Sequence, residues 1–244
     1  MPETLALTRW LNQIFGGTVT AVLQAIGVHP AHPAAPIRDE FALELLVVCG
    51  LIAFFALVRL TLSVEKPNPA QQIAELIHDF TGTNGEQIIG HGYERFQAFV
   101  TCIFLFVVLD NLMGLIPGID TPTSFPVVPL GIAVLTFLYY NFHGVREQGI
   151  VGYLKHFAGP VWWIAPLLFP IEIISHCARM MSLTIRLYAN MFASDLVTLV
   201  FFSLFPLAIP AVFLGLHAAV SIIQAYVFML LAMIYLSQAV AHEQ

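Results

Sequence analysis

Hydrophobic residues along this chain fall into long blocks separated by short polar or Pro-rich breaks. The first clear block runs over 41–62, long enough as a helix to cross a hydrocarbon layer of about 30 Å. Ahead of it lies "WLNQIFGGTVTAVLQAIGV", interrupted by Asn12, Gln13, Gly16, Gly17 and Thr18, then the Pro-rich linker "HPAHPAAPIRDE". Arg9 precedes the first stretch as in a signal peptide, yet no convincing small-residue cleavage site closes it, so it reads as an amphipathic or partly inserted segment. "VEKPNPAQQ" ends the first block, and the stretch from Lys66 to Arg95 is polar and Gly-rich, with one short helix predicted in "PAQQIAELIHDF". A second block covers 97–117 and stops at "GLIPG". A third covers 127–142, and "HGVREQGIVGYLKHFAGP" after it reads as a polar loop.

The last two blocks are longer. One runs over 165–204 with no strong break after Pro170, and the other over 206–240 with only Pro210 interrupting early. Helices of roughly 35–40 residues would be about 50–60 Å long, nearly twice the hydrocarbon thickness. They must therefore tilt strongly, bend or project from the membrane. The short link around Pro206 predicts an antiparallel helical hairpin. The fold class is an all-α polytopic membrane protein with about five membrane-spanning segments. An N-terminal segment and linker occupy 1–40, and a membrane domain occupies 41–244.

Composition supports this class. Of 244 residues, 59% are hydrophobic and only 10% are charged, whereas a typical soluble domain is about 25% charged. The net charge of −6 and the lack of a basic run argue against nucleic acid as a partner. Cys49, Cys102 and Cys177 sit in apolar blocks without CxxC spacing and read as buried free thiols. Lys66 and Arg95, with Arg59 at the edge, mark one loop as basic, and Arg146 and Lys155 mark another; the loop at 117–126 and the hairpin tip carry no Lys or Arg. The positive-inside rule places the two basic loops and the C-terminus in the cytoplasm and the N-terminus outside.

Against this background, "SLTIRLYANMFASD" stands out, because an Arg or Asp at the centre of a membrane helix costs roughly 2.5–3.5 kcal/mol. On an ideal helix Glu172, His176, Arg179, Arg186 and Asn190 fall within about 80° of one another, with Ser175 and Ser182 at the edge. Asp195 points roughly 140° away from Asn190. In the last block His217, Ser221, Gln224, Phe228, Tyr235 and Gln238 form a second stripe. Lipid satisfies no polar group, so two such stripes on antiparallel neighbours predict a hydrated pathway between them.

Arg186 stays protonated and acts as a fixed positive charge; a carboxylic acid beside it is favoured in its ionised form. His217 is an imidazole, a side chain able to take up and release a proton, and Asp195, Glu172 and Asp110 are carboxyls whose surroundings can bring them into play. Each has a plainer alternative: Arg186 paired with Asp195, Glu172 paired with Arg179, Asp110 beside Asn111 as a helix-end cap. No phosphate-binding loop, dinucleotide fingerprint or HExxH is present in the sequence, so no metal and no catalytic site of its own is expected.

The runs "PIEIISHCARMMSLTIRLYANMFASDLV" and "LHAAVSIIQAYVFMLLAMIYLSQA", with "FLFVVLDNLMGLIPG" and "TPT" before them, resemble subunit a of F-type ATP synthases, the membrane stator beside the rotating c-ring. The resemblance covers about 97–238 in the right order. It implies that Arg186 is the essential charge between two aqueous half-channels. It further implies that Asn190, Asp195, His217 and Gln224 belong to the proton pathway, where Asp195 stands in a position that relatives fill with Glu or His. Glu172 matches an acidic position of the family. His176, Ser182, Asp110, Asn111 and Tyr235 join the candidate pathway residues.

Other implications of the resemblance concern setting. They are a bacterial inner (plasma) membrane, the c-ring, b-type peripheral-stalk subunits and the rest of the synthase as partners, membrane lipids around it, and no cofactor. The proton is the expected coupling ion, with sodium as the alternative. An independent ion-coupled secondary transporter would also carry intramembrane charges, but no internal repeat of the kind such proteins show is found. A structural scaffold with Arg186 and Asp195 simply paired is the third reading.

Overall fold

A computed structural model describes residues 5–25, 27, 35–63, 66–116, 119–158, 165–204 and 208–240. Among them are seven α-helices, one 3-10 turn and no strand. The helices are α1 (Ala6–Ala25), α2 (Asp39–Leu60), α3 (Pro69–Ile88), α4 (Glu94–Met113), α5 (Val127–Ala158), α6 (Ala165–Leu204) and α7 (Ala208–Val240), with the turn at Pro122–Ser124. Five of them, α2, α4, α5, α6 and α7, are long and apolar enough to cross a membrane. The all-helical polytopic class read from the sequence is therefore observed. The hairpin tip at Pro206, Pro117 of "GLIPG" and the first residues of the Pro-rich linker lie outside the described residues.

The chain divides within α2, after Phe54. In the first unit, α1 docks on the start of α2. The Asp39 carboxylate accepts from the Leu5 amide and the Thr8 hydroxyl, and the Asn12 side chain both donates to and accepts from the Ile37 backbone. Leu11, Ile37 and Ala42 close a small apolar cluster beneath these bonds.

The second unit is a bundle of α3 to α7. Its centre is built by all four long helices: Val107 from α4, Ile132 and Ala133 from α5, Leu187 and Met191 from α6, and Ala225 and Phe228 from α7. A second cluster, with Phe96, Tyr140, Met229, Met233 and Leu236, fills one end of the bundle. At that end Arg95 pairs with Glu147 at 2.7 Å, and the Gln148 amide donates to the Ala239 carbonyl at 3.1 Å. The start of α4, the later part of α5 and the end of α7 thus lie together. Arg95, and Arg146 next to Glu147, therefore share this side with the C-terminal end of α7.

Three sequence expectations are corrected. Helix α3 does not stop at Phe80; it continues to Ile88 through "TGTNGEQI". Its small residues are what α4 needs for close approach. Thr81 hydrogen-bonds Thr101 at 2.8 Å, and a side chain at Gly85 would meet the Tyr93 ring at 3.0 Å. The segment after residue 142 is helical to Ala158, broken at Gly149 (φ 73°), a conformation glycine adopts at low cost. Its polar side chains are held by Arg95, by the Ala239 carbonyl and by the Phe96 ring against His143, contacts distant in sequence. The three cysteines are free but exposed on their helices rather than buried, because each falls on a helix face that its own unit does not cover.

The α3–α4 contact yields a stability prediction. Gly85→Leu must push Tyr93 aside and is expected to lower stability by about 1–3 kcal/mol, the usual cost of overpacking. Thermal unfolding of the purified protein in detergent measures it, and Gly90→Leu is not an equivalent control because Gly90 sits at positive φ; the exposed, open position Gly50 is.

Candidate functional site

Helices are forced by the membrane to satisfy polar side chains from within the protein, and the polar residues of this chain gather into two clusters on α6. The first is built around His217 of α7, which is almost fully buried. Its Nε2 lies 3.1 Å from the Asn111 backbone carbonyl, which can only accept, so Nε2 carries a proton. In the neutral ring Nδ1 is then an acceptor, and the Ser194 hydroxyl donates to it at 2.8 Å. Asp195 Oδ1 stands 3.6 Å from the same Nδ1 and accepts from the Thr121 hydroxyl at 2.9 Å. A proton added to Nδ1 would face both Ser194 Oγ and the Asp195 carboxylate.

The short turn after α4 completes this cluster. Thr121, Thr123 and Asn111 are fully buried. Thr123 donates to Asn111 Oδ1 at 2.6 Å, and the Asn111 amide donates to the Ser221 carbonyl at 3.3 Å. Ser124 in turn donates to the Thr121 carbonyl. Gly114 permits this closeness: a Cβ there would overlap the Thr121 hydroxyl and come within 3.1 Å of His217 Nε2. Asp195 keeps 28% of its side chain exposed while His217 keeps 2%, so Asp195 is the accessible member of the pair.

The second cluster lies toward the start of α6. Glu172 Oε1 is 3.4 Å from His176 Nε2, and the other His176 nitrogen, Nδ1, is 3.1 Å from the Tyr140 hydroxyl of α5. Arg179 lies over the Tyr235 ring of α7, 5.4 Å from its centroid. The suggested pairing of Glu172 with Arg179 is thus replaced by Glu172 with His176, four residues on and one helical turn above.

Arg186 sits between the two clusters, roughly 15 Å along the helix axis from each. Its Nη2 reaches Ser182 Oγ at 3.4 Å, and it lines a narrow cleft with Leu183, Leu187, Gln224, Val227 and Phe228. Among the described residues no carboxylate pairs with it. The simple Arg186–Asp195 bridge is absent because Asp195 is turned toward Thr121 and His217. Asn190 is partly exposed one turn beyond Arg186, and Asp110 is fully buried in α4 beside Asn111.

Of the residues singled out from sequence, Asp195, His217 and Asn111 come together, Glu172, His176 and Tyr235 form the second group, and Arg186 and Gln224 share the cleft. Thr123, Ser194 and Tyr140 were not singled out. Ser194 could have been suspected from its place beside Asp195, and Thr123 from the "TPT" run; nothing local distinguishes Tyr140. No group of three metal-binding side chains occurs among the described residues.

A bundle of membrane-length helices with an acid–imidazole pair, and with an arginine that has no carboxylate partner among the described residues, defines a polytopic membrane protein with charged groups placed inside its membrane-length helices. The comparisons narrow this class. The family model described as ATP synthase A chain matches residues 42–237. The chain is 54% identical over 99% of both chains to "ATP synthase subunit a" of Koribacter versatilis. It is 45% identical to "ATP synthase subunit a" of Solibacter usitatus, over 95% of this chain and 99% of that one. The chain belongs to the ATP synthase A chain family.

Two outcomes follow from the His217 geometry. Nitrogen NMR of histidine-labelled protein should find neutral His217 protonated at Nε2. Gly114→Ala should cost about 1–3 kcal/mol of stability and perturb the His217 signals, because either Thr121 or the imidazole has to move.

Proposed function

We propose that this chain is subunit a of a rotary F-type ATP synthase, the stator that passes protons to and from the carboxylates of a c-ring. The observation that carries the reading is the position of Arg186, without a carboxylate partner among the described residues, between two polar clusters. A permanent cation in a membrane-spanning helix needs an anion, carbonyls or water beside it, and an anion satisfies it best. A ring carboxylate arriving at the exposed side of α6 supplies one.

In this mechanism each polar cluster belongs to one half-channel. The Asp195–His217–Ser194 group, with Thr121 and Asn111, lies away from the basic ends and forms the outer path. The Glu172–His176–Tyr140 group, on the side of Arg95 and the end of α7, forms the inner path. A proton enters at the accessible Asp195, is exchanged with His217 Nδ1 and reaches the ring carboxylate. The neutral carboxylic acid rotates through lipid, where a charged one would be costly. It ionises beside the inner path, since the field of Arg186 favours the carboxylate. Arg186 cannot deprotonate, so no proton passes directly from one path to the other. Asn190 and Gln224 flank Arg186 and hydrate the junction. The electrical part of the driving force is about 2.3 kcal/mol per charge per 100 mV.

The orientation puts Arg95 at the start of α4, Arg146 in the later part of α5 and the C-terminal end of α7 in the cytoplasm of a bacterial plasma membrane. The c-ring, b-type peripheral-stalk subunits and the catalytic sector are the partners. Arg186→Ala in the assembled complex should abolish ATP-driven proton pumping in inverted vesicles while the chain still co-purifies with the ring. Unchanged pumping would sink the proposal. Asp195→Asn should slow ring-coupled proton flux by about two orders of magnitude, the scale of a lost proton-transfer group. Asp195→Glu should retain most of the flux, since it keeps the carboxyl.

A further inference from the structure

The first unit carries a surface that the bundle's chemistry does not use. Helix α1 docks through Leu5, Thr8 and Asn12 on Asp39 and Ile37, and Gly16 lies 3.6 Å, measured from its would-be Cβ, from Pro36. The docking site is the first turn of α2 and the residues just before it. That turn carries Asp39 and Glu40, and the far end of α2 carries Arg59. Twenty-two residues of helix measure about 33 Å, only slightly more than the hydrocarbon layer. Both charged ends of α2 therefore lie at membrane boundaries, and α1 is fastened to one of them.

Around α1 the side chains divide into three sectors. Thr8, Asn12 and Gly16 face the docking site. Trp10, Ile14, Phe15 and Val22, each about half exposed, spread over an arc of about 140° beside it, an arc they share with exposed Thr18 and with Leu7 and Leu11, which turn into the docked cluster. Arg9, Gln13 and Gln24 are exposed and occupy an arc of about 60° on the other side. One apolar and one polar sector, flanking an anchor at the boundary, is the division an interfacial helix requires, and an indole belongs at that depth.

We infer that α1 lies in the plane of the membrane surface, with Trp10, Ile14, Phe15 and Val22 seated in the lipid interface and Arg9, Gln13 and Gln24 in water. The occupant of the exposed apolar face is lipid. This makes α1 a lateral anchor that fixes the depth of the start of α2, and it does not depend on the proton-pathway reading.

The test uses the assembled complex in lipid vesicles, with Cys49, Cys102 and Cys177 replaced and one nitroxide-labelled cysteine at a time. Trp10→Cys, Ile14→Cys and Val22→Cys should show one common depth, about 5–10 Å into the headgroup–acyl boundary. Their oxygen-to-nickel accessibility ratio should exceed that of Gln13→Cys and Gln24→Cys several-fold. Depth that increases steadily from residue 10 to 22 means a spanning helix and overturns the inference. Labels at 10, 14 and 22 that are immobile and shielded from both reagents mean a protein occupant and overturn it as well. Free access of the nickel reagent at all five positions means a helix in water, with the same result.

Discussion

The contact on which the described site depends is the hydrogen bond between His217 Nε2 and the Asn111 backbone carbonyl. It links α7 to the end of α4, where the chain turns, and it assigns the imidazole tautomer. With Nε2 committed as a donor, Nδ1 is left to face Ser194 and Asp195 of α6. A backbone carbonyl is the partner, so the tautomer is set by the fold and survives side-chain variation around it. The last carbonyls of a helix lack partners within that helix. In hydrocarbon such a group is expensive to leave alone. The same cost that makes a membrane helix end a liability here recruits a titratable ring to the correct place.

Small residues make this arrangement possible. Gly114 gives up a side chain so that the Thr121 hydroxyl and the imidazole can both approach the end of α4. Ser221 gives its backbone carbonyl to the Asn111 amide from the facing turn of α7. The same economy appears between α3 and α4, where Thr81, Gly82 and Gly85 are buried. Without a hydrophobic drive between helices in lipid, close packing and interhelical hydrogen bonds hold a bundle together. Polar pathway and structural cohesion therefore draw on one set of contacts.

Charge is placed by the same constraint. Arg95 finds Glu147, Arg179 finds the Tyr235 ring, and Asp195 finds Thr121 with His217 at hand. Arg186 has a hydroxyl at 3.4 Å and, among the described residues, no carboxylate. Its position midway along a helix of 40 residues, with polar clusters on either side, gives the proposed stator role a physical basis: a fixed charge is kept available for an anion that comes and goes.

The membrane class, the five spans, the two unusually long final helices and the polar stripe holding Arg186 were legible in the sequence. Each follows from local rules: hydrocarbon thickness sets span length, and the 100° step of a helix sets which side chains share a face. The divergence of Asp195 from Arg186 was legible for the same reason. Tertiary structure decided the rest. It extended α3 through a Gly-rich stretch that local propensity would end, because close approach to α4 rewards small residues. It continued α5 past residue 142, because Arg95 and the end of α7 hold its polar second half. It exchanged Arg179 for His176 as the neighbour of Glu172, and brought Tyr140 to a site no local pattern marks. Periodicity along one helix specifies direction, whereas hydrogen-bond partners and proton positions depend on which other helix lies across the gap.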